Sequence, residues 1–134
     1  MSEFGDRRHR SRERALELLY ETAMKGRPAR VVLDELPVPP DDYAVRLIEA
    51  VNEHEARAHE LISEFSLDWP LERMALIDRL VLTLATSELL MPDAPPTAVV
   101  LDEAVELAKT YSTEASPSFV NGVLSSIVDE LTAS

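Results

Sequence analysis

Ser116-Pro-Ser-Phe-Val-Asn-Gly-Val-Leu124 is the stretch on which the fold reading turns. An Asn-Gly pair ordinarily marks a turn, yet this one lies inside an apolar repeat. Val120, Val123, Leu124, Ile127, Val128 and Leu131 recur at the spacing of one helical stripe. Ser116 suits an N-cap and Pro117 the first helical position, where the missing N–H costs nothing. The pattern therefore predicts a C-terminal helix with Phe119, Asn121 and Gly122 in its opening turns. A glycine inside a helix costs about 1 kcal/mol relative to alanine. Its presence implies a close approach to the backbone, by a neighbouring helix or by a ligand, and helix packing is the expected cause.

Helical period recurs upstream, and no strand alternation of useful length interrupts it. The first helix should cover about Arg8 to Met24 and bury Ala15, Leu16, Leu19 and Ala23. Lys25-Gly-Arg-Pro28 ends it, a short helix is expected over Ala29–Leu36, and Pro37-Val-Pro-Pro40 breaks the chain again. A long third helix follows from about Asp41 to Phe65, with Tyr43, Leu47, Val51, His54, Ala58, Leu61, Ile62 and Phe65 on its buried stripe. Trp69-Pro70 should open a fourth helix over Leu71–Leu90 that is apolar on nearly every side, the signature of a bundle's central helix. The fifth spans about Thr97 to Tyr111, with Val100, Ala104, Leu107, Ala108 and Tyr111 inward. Short loops imply near-antiparallel neighbours. The expected fold is all-α, a compact bundle of about six to seven helices over residues 7–134 as one domain, with residues 1–6 as a flexible tail.

At 134 residues the chain is long enough for a real core. It has no cysteine, which excludes disulfides, thiolate metal sites and thiol catalysis and fits a reducing compartment. There is no signal-type apolar segment and no run long enough to span a bilayer. A soluble, cytoplasmic protein is expected.

The net charge of −12 argues at first against a nucleic acid partner. Its distribution points the other way. Residues 7–14 hold Arg7, Arg8, Arg10, Arg12 and Arg14 against Glu13 alone, whereas from Ala15 onward 8 basic residues face 22 acidic ones. A basic arm on an acidic body suggests a polyanion, although a solubilising terminus would look the same. Cations in the opening turns also oppose the helix dipole, a local cost that a ligand would explain.

Catalytic chemistry is sparse. No phosphate-cradling glycine loop or metal-binding signature is present. His54 and His59 are five apart, about 140° around a helix, so they cannot share a metal. His54 reads as a partly buried side chain with one hydrogen-bond partner, and His9 could join the arm when protonated. The pairs Asp41/Asp42 and Asp102/Glu103 point about 100° apart and read as solvated acids. The expectation is a non-enzyme with no cofactor and no metal.

Four strings then align in order with one family. Arg7-Arg-His-Arg-Ser-Arg-Glu-Arg-Ala-Leu-Glu-Leu-Leu-Tyr20 resembles the arginine-rich first helix of the NusB family of transcription antitermination factors. Arg79-Leu-Val-Leu-Thr-Leu-Ala-Thr-Ser-Glu-Leu89 resembles its central helix. Val99-Val-Leu-Asp-Glu-Ala-Val-Glu-Leu-Ala-Lys109 is similar to its fifth, where Asn commonly stands at the Asp102 position. Phe119-Val-Asn-Gly-Val-Leu124 matches its most recognisable string. The resemblance implies two helical sub-bundles without catalytic activity. It further implies binding of single-stranded boxA-type leader RNA, chiefly of ribosomal RNA operons, together with the NusE ribosomal protein in an RNA polymerase antitermination complex. Carried over by position, the RNA contacts would be Arg8, Arg10, Arg12, Tyr20, Phe119 and Asn121. Arginines neutralise or stack, aromatics stack on splayed bases, and an amide reads a base edge. Tyr20 could equally be an edge-of-core tyrosine, and Phe119 a core residue. The partner would dock on helices four and five, with Glu88 a candidate contact.

Two departures matter. Relatives often carry Lys or other polar groups just before the Phe, where this chain has Ala115-Ser-Pro-Ser118. The acidic body repels RNA beyond the arm, within the about 8 Å reach of charge at physiological salt. Weak binding alone and tighter binding with a basic partner are expected. Two other readings stand beside this one. The chain could be a homodimeric interaction module with lost or masked RNA binding. A domain accessory to an RNA methyltransferase would need a downstream Rossmann-type domain and a cysteine pair, which this sequence lacks.

Overall fold

The computed structural model describes residues 3–67 and 69–133. Six α-helices account for most of them: α1 (Glu3–Lys25), α2 (Ala29–Glu35), α3 (Asp42–Phe65), α4 (Leu76–Leu89), α5 (Thr97–Tyr111) and α6 (Ser116–Thr132), with a 3₁₀ turn at Leu71–Arg73 before α4. No strand occurs among the described residues, so the all-α expectation holds. Helices α1–α3 form one half and α4–α6 the other, joined chiefly where α3 lies along α4. Helix α4 touches α1, α3, α5 and α6. Eight consecutive residues on it, Val81–Glu88, are buried, as its all-round apolar pattern requires.

Helix α1 begins at Glu3, so residues 3–6 are helical rather than part of a tail; Met1 and Ser2 lie outside the described residues. Asp6 consequently stands in the first turn, and the arginines follow it, which relieves the conflict with the dipole. Gly26, at φ +63°, ends the helix in the left-handed conformation, and the Arg27 N–H donates back to the Thr22 carbonyl at 3.2 Å. Leu18 is buried and Ala23 is exposed, a small rotation from the expected stripe. Asp41 caps α3: its Oδ2 accepts from the Ala44 N–H at 3.2 Å and from the Ser11 hydroxyl at 2.5 Å, tying α1 to α3.

Helix α4 starts five residues later than its pattern predicts. The Arg73 and Met74 N–H groups donate to the Pro70 and Leu71 carbonyls at 2.9 and 3.2 Å, closing a 3₁₀ turn, and Met74 and Ala75 then run extended. The break leaves Trp69 half-exposed and puts Asp78 in the first turn of α4.

Two details of α6 also differ from expectation. Ser116 is not the N-cap but the first helical residue, after Ala115, and it is buried. Its hydroxyl accepts from the Thr113 N–H at 3.1 Å and donates to Ser112 Oγ at 3.0 Å, which in turn donates to Asp78 Oδ1 at 2.6 Å. This relay joins the end of α5, the start of α6 and the first turn of α4. Gly122, expected to admit a neighbouring helix, is exposed, and a Cβ there would meet nothing within 4 Å. Gly122→Ala should therefore stabilise the free protein by about 1 kcal/mol through helix propensity, read from urea denaturation.

Candidate RNA and partner interface

The five arginines of α1 have different surroundings. Arg7 and Arg10 are exposed and have no ion-pair partner among the described residues. Arg14 pairs with Glu17 at 3.8 Å on the surface. The Arg8 guanidinium lies 4.1 Å from the centre of the Tyr43 ring, a cation–π distance. Arg7, Arg8 and Arg10 line, with Tyr43, Arg46 and Asp42, a groove of about 500 Å³ at the junction of α1 and α3.

Arg12 lies beneath this groove and is 2% exposed. Its Nε donates to Glu88 Oε1 at 3.0 Å and its Nη2 to Glu88 Oε2 at 2.8 Å. Glu88 is 1% exposed, and its Oε2 also accepts the Tyr43 hydroxyl at 2.5 Å. Burial works against the charge on Arg12, but the bonds and charge of Glu88 outweigh it and hold its pKa above the ordinary value. Burial, followed by the bond to Glu88, pushes the Tyr43 phenol well up, so it remains a neutral donor. Arg12, expected as an RNA contact, and Glu88, expected as a partner contact, are thus buried and paired with each other. Each neutralises the other inside the protein.

His9 does not extend the arm. Its Nδ1 lies 2.5 Å from Glu103 Oε2 and its Nε2 3.7 Å from Glu13, drawing the ring toward α5. His54 is half-buried, and its Nε2, 3.9 Å from Glu53, has no hydrogen-bond partner among the described residues.

The aromatic candidates occupy adjoining hollows further along. Tyr20 is half-exposed and lines a groove with Leu16, Glu17, Ile77 and Tyr111. It stands ten residues beyond Arg10 on α1, about 15 Å along the axis. Phe119 is partly buried in the neighbouring cleft, next to Met74 and Asp78. Asn121 is exposed, but two residues along a helix turn it about 200° from Phe119, and it does not line that cleft.

Tyr111, expected inward, is also half-exposed. Its hydroxyl donates to Glu13 Oε2 at 2.7 Å, and chiefly that bond pushes its pKa up to about 12. The folded state favours the neutral phenol, so this contribution is complete below about pH 10, the unfolded value, and fades as pH rises through 12. In an absorbance titration Tyr111 should remain protonated at about pH 11, and Glu13→Gln should bring it down toward the ordinary value.

Sequence reasoning placed Tyr43 only in the core and overlooked Arg46 and Trp69. One usable signal was Glu88, an acid on a helix apolar all round, which demands a buried cation. Trp69 gave no pattern, because its exposure follows from the unforeseen break before α4.

The described residues thus form a small all-helical module with an exposed cationic corner on α1 and aromatic hollows further along it. The chain belongs to the NusB family, whose model matches residues 9–129. It is 42% identical over 126 residues to the transcription antitermination protein NusB of Kineococcus radiotolerans, covering 91% of this chain and 93% of that protein. It is 44% identical over 125 residues to the Nocardioides sp. protein of the same name, covering 90% and 93%. Among solved structures, T. maritima NusB matches with a TM-score of 0.82 and 36% identity over 92% of this chain and 91% of that one. A chain from a crystal structure of the antitermination factors NusB and NusE in complex with dsRNA matches with a TM-score of 0.77 and 26% identity, over 92% and 96%. No helix among the described residues is long and apolar enough to cross a membrane.

Proposed function

We propose that this chain is a non-catalytic transcription antitermination factor. In this reading it holds single-stranded boxA-type leader RNA jointly with a basic NusE-type ribosomal protein, and within the RNA polymerase complex it supports read-through of ribosomal RNA operons. The observation that carries the reading is the pair Arg7 and Arg10, exposed and without acid partners among the described residues, on a chain whose net charge is −12. Charge left uncompensated in such a body is a site for a polyanion. The names of the relatives and the NusB–NusE–dsRNA structure support it.

On this reading Arg7, Arg8 and Arg10 meet the backbone, Tyr20 stacks on a splayed base, and Phe119 receives the strand further along. Exposed Asp102 and Glu106 on α5 replace Glu88 as candidate contacts for the basic partner. Fluorescence anisotropy of a labelled boxA-type RNA, with and without that partner and across a salt series, tests the proposal. Binding should tighten with the partner, and Arg10→Ala should weaken it and lower the slope of log K against log salt by about 0.7. Absence of binding with the partner present at low salt would overturn it.

A further inference from the structure

The break before α4 creates a feature that the arm and Tyr20 do not use. Trp69 is 53% exposed, although it is the largest apolar side chain in the molecule. It lines a cleft of about 300 Å³ with Arg73, Met74, Asp78, Ser116 and Phe119. Arg73 is exposed and has no ion-pair partner among the described residues. The floor is polar and already satisfied: Asp78 Oδ1 is taken by Ser112, and Ser116 is bonded on both sides. The cleft also adjoins the Tyr20 groove, because Ile77 lines one and Asp78 the other. On the far side, Phe119 is followed one turn along α6 by Gly122, whose exposed face is open.

We propose that this cleft is a second base pocket, in which an unpaired nucleobase stacks against Trp69 beside Phe119 while Arg73 neutralises the adjoining phosphate. The inference rests on the RNA-binding reading above and extends it to residues outside α1. An aromatic face accepts any base, and an indole offers the largest such face available to a protein. The Asp78 carboxylate in the floor repels phosphate, so the base enters and the backbone stays at the rim, near Arg73. A strand crossing Tyr20 would pass over the first turn of α4 and reach the cleft directly. The open backbone at Gly122 would leave room for it to continue.

Trp69 is the only tryptophan in the chain, so its emission reports on this cleft alone. Single-stranded boxA-type RNA is titrated into the full-length protein at low salt, following anisotropy of the labelled RNA and emission of Trp69 together. Quenching of Trp69 in parallel with the anisotropy is expected. Trp69→Ala should weaken binding by about 5- to 150-fold, the loss of one base stack, and Trp69→Phe should recover most of it. Because the side chain is on the surface, both variants should retain the circular dichroism melt of the parent. Rising anisotropy with unchanged Trp69 emission and unchanged affinity of Trp69→Ala would overturn the pocket and leave the RNA-binding reading intact. Absence of RNA binding by the parent would overturn both. Emission that changes with the basic partner alone, and not further with RNA, would make the cleft a protein contact and overturn the proposal.

Discussion

Glu88→Ala should destabilise the protein by about 3–5 kcal/mol, measured by urea denaturation at neutral pH. The magnitude comes from what remains behind rather than from what is removed. Arg12 would keep its charge at 2% exposure with its hydrogen bonds to Glu88 gone, leaving Glu103 at 3.8 Å as its one ion-pair partner among the described residues. The Tyr43 hydroxyl would lose its acceptor at the same stroke. Arg12→Met should be costly for the mirror reason, a stranded buried carboxylate. The double replacement Arg12→Met with Glu88→Leu should recover most of the loss, since apolar side chains of similar volume often substitute for a buried pair without penalty. Equal losses for the single and double variants would show that packing, and not charge, governs the site.

The second large effect is expected in the stretch that decides the fold. Leu124 is fully buried on α6, and Leu124→Ala should cost about 3–5 kcal/mol, the range for emptying a leucine site in a closely packed interior. Gly122→Ala, two residues earlier, is expected to move stability the other way. The two substitutions lie on opposite sides of one helix, and the contrast between their denaturation midpoints would test its orientation directly. A loss below about 1 kcal/mol for Leu124→Ala would mean that α6 can collapse into the vacated space.

Much of the architecture was legible because apolar period is a property of single helices. α5 falls at Thr97–Tyr111 as read from the spacing, and Val120, Val123, Leu124 and Ile127 are buried on α6 as their stripe requires. What period does not report is the fate of polar residues within a stripe. Arg12 sits one turn before Ala15 and Leu16 on the same face, so it is carried inward with them, and Glu88 is carried inward by the all-apolar α4. Both therefore passed for surface charges. Gly122 departs from expectation for a related reason: a helical glycine signals close approach without saying by what, and here a Cβ at this position would meet nothing within 4 Å. The break at Met74–Ala75 was invisible because the residues around it have ordinary helix preference and the competing 3₁₀ bonds are local. Of the residues carried over from the family, Arg8, Arg10, Tyr20, Phe119 and Asn121 lie at a groove or the surface, and Arg12 does not.

The position of Tyr43 has a consequence for how the arginine corner meets a ligand. One face of its ring holds the Arg8 guanidinium, while its hydroxyl is fixed to the carboxylate that anchors Arg12. A helix terminus of this kind would ordinarily fray, and an arginine on it would lose much rotamer freedom at the moment of binding. Here Arg8 and the backbone beneath it are ordered by the interior before any ligand arrives. The entropy of arranging that contact is charged to folding, so association meets a corner already in place.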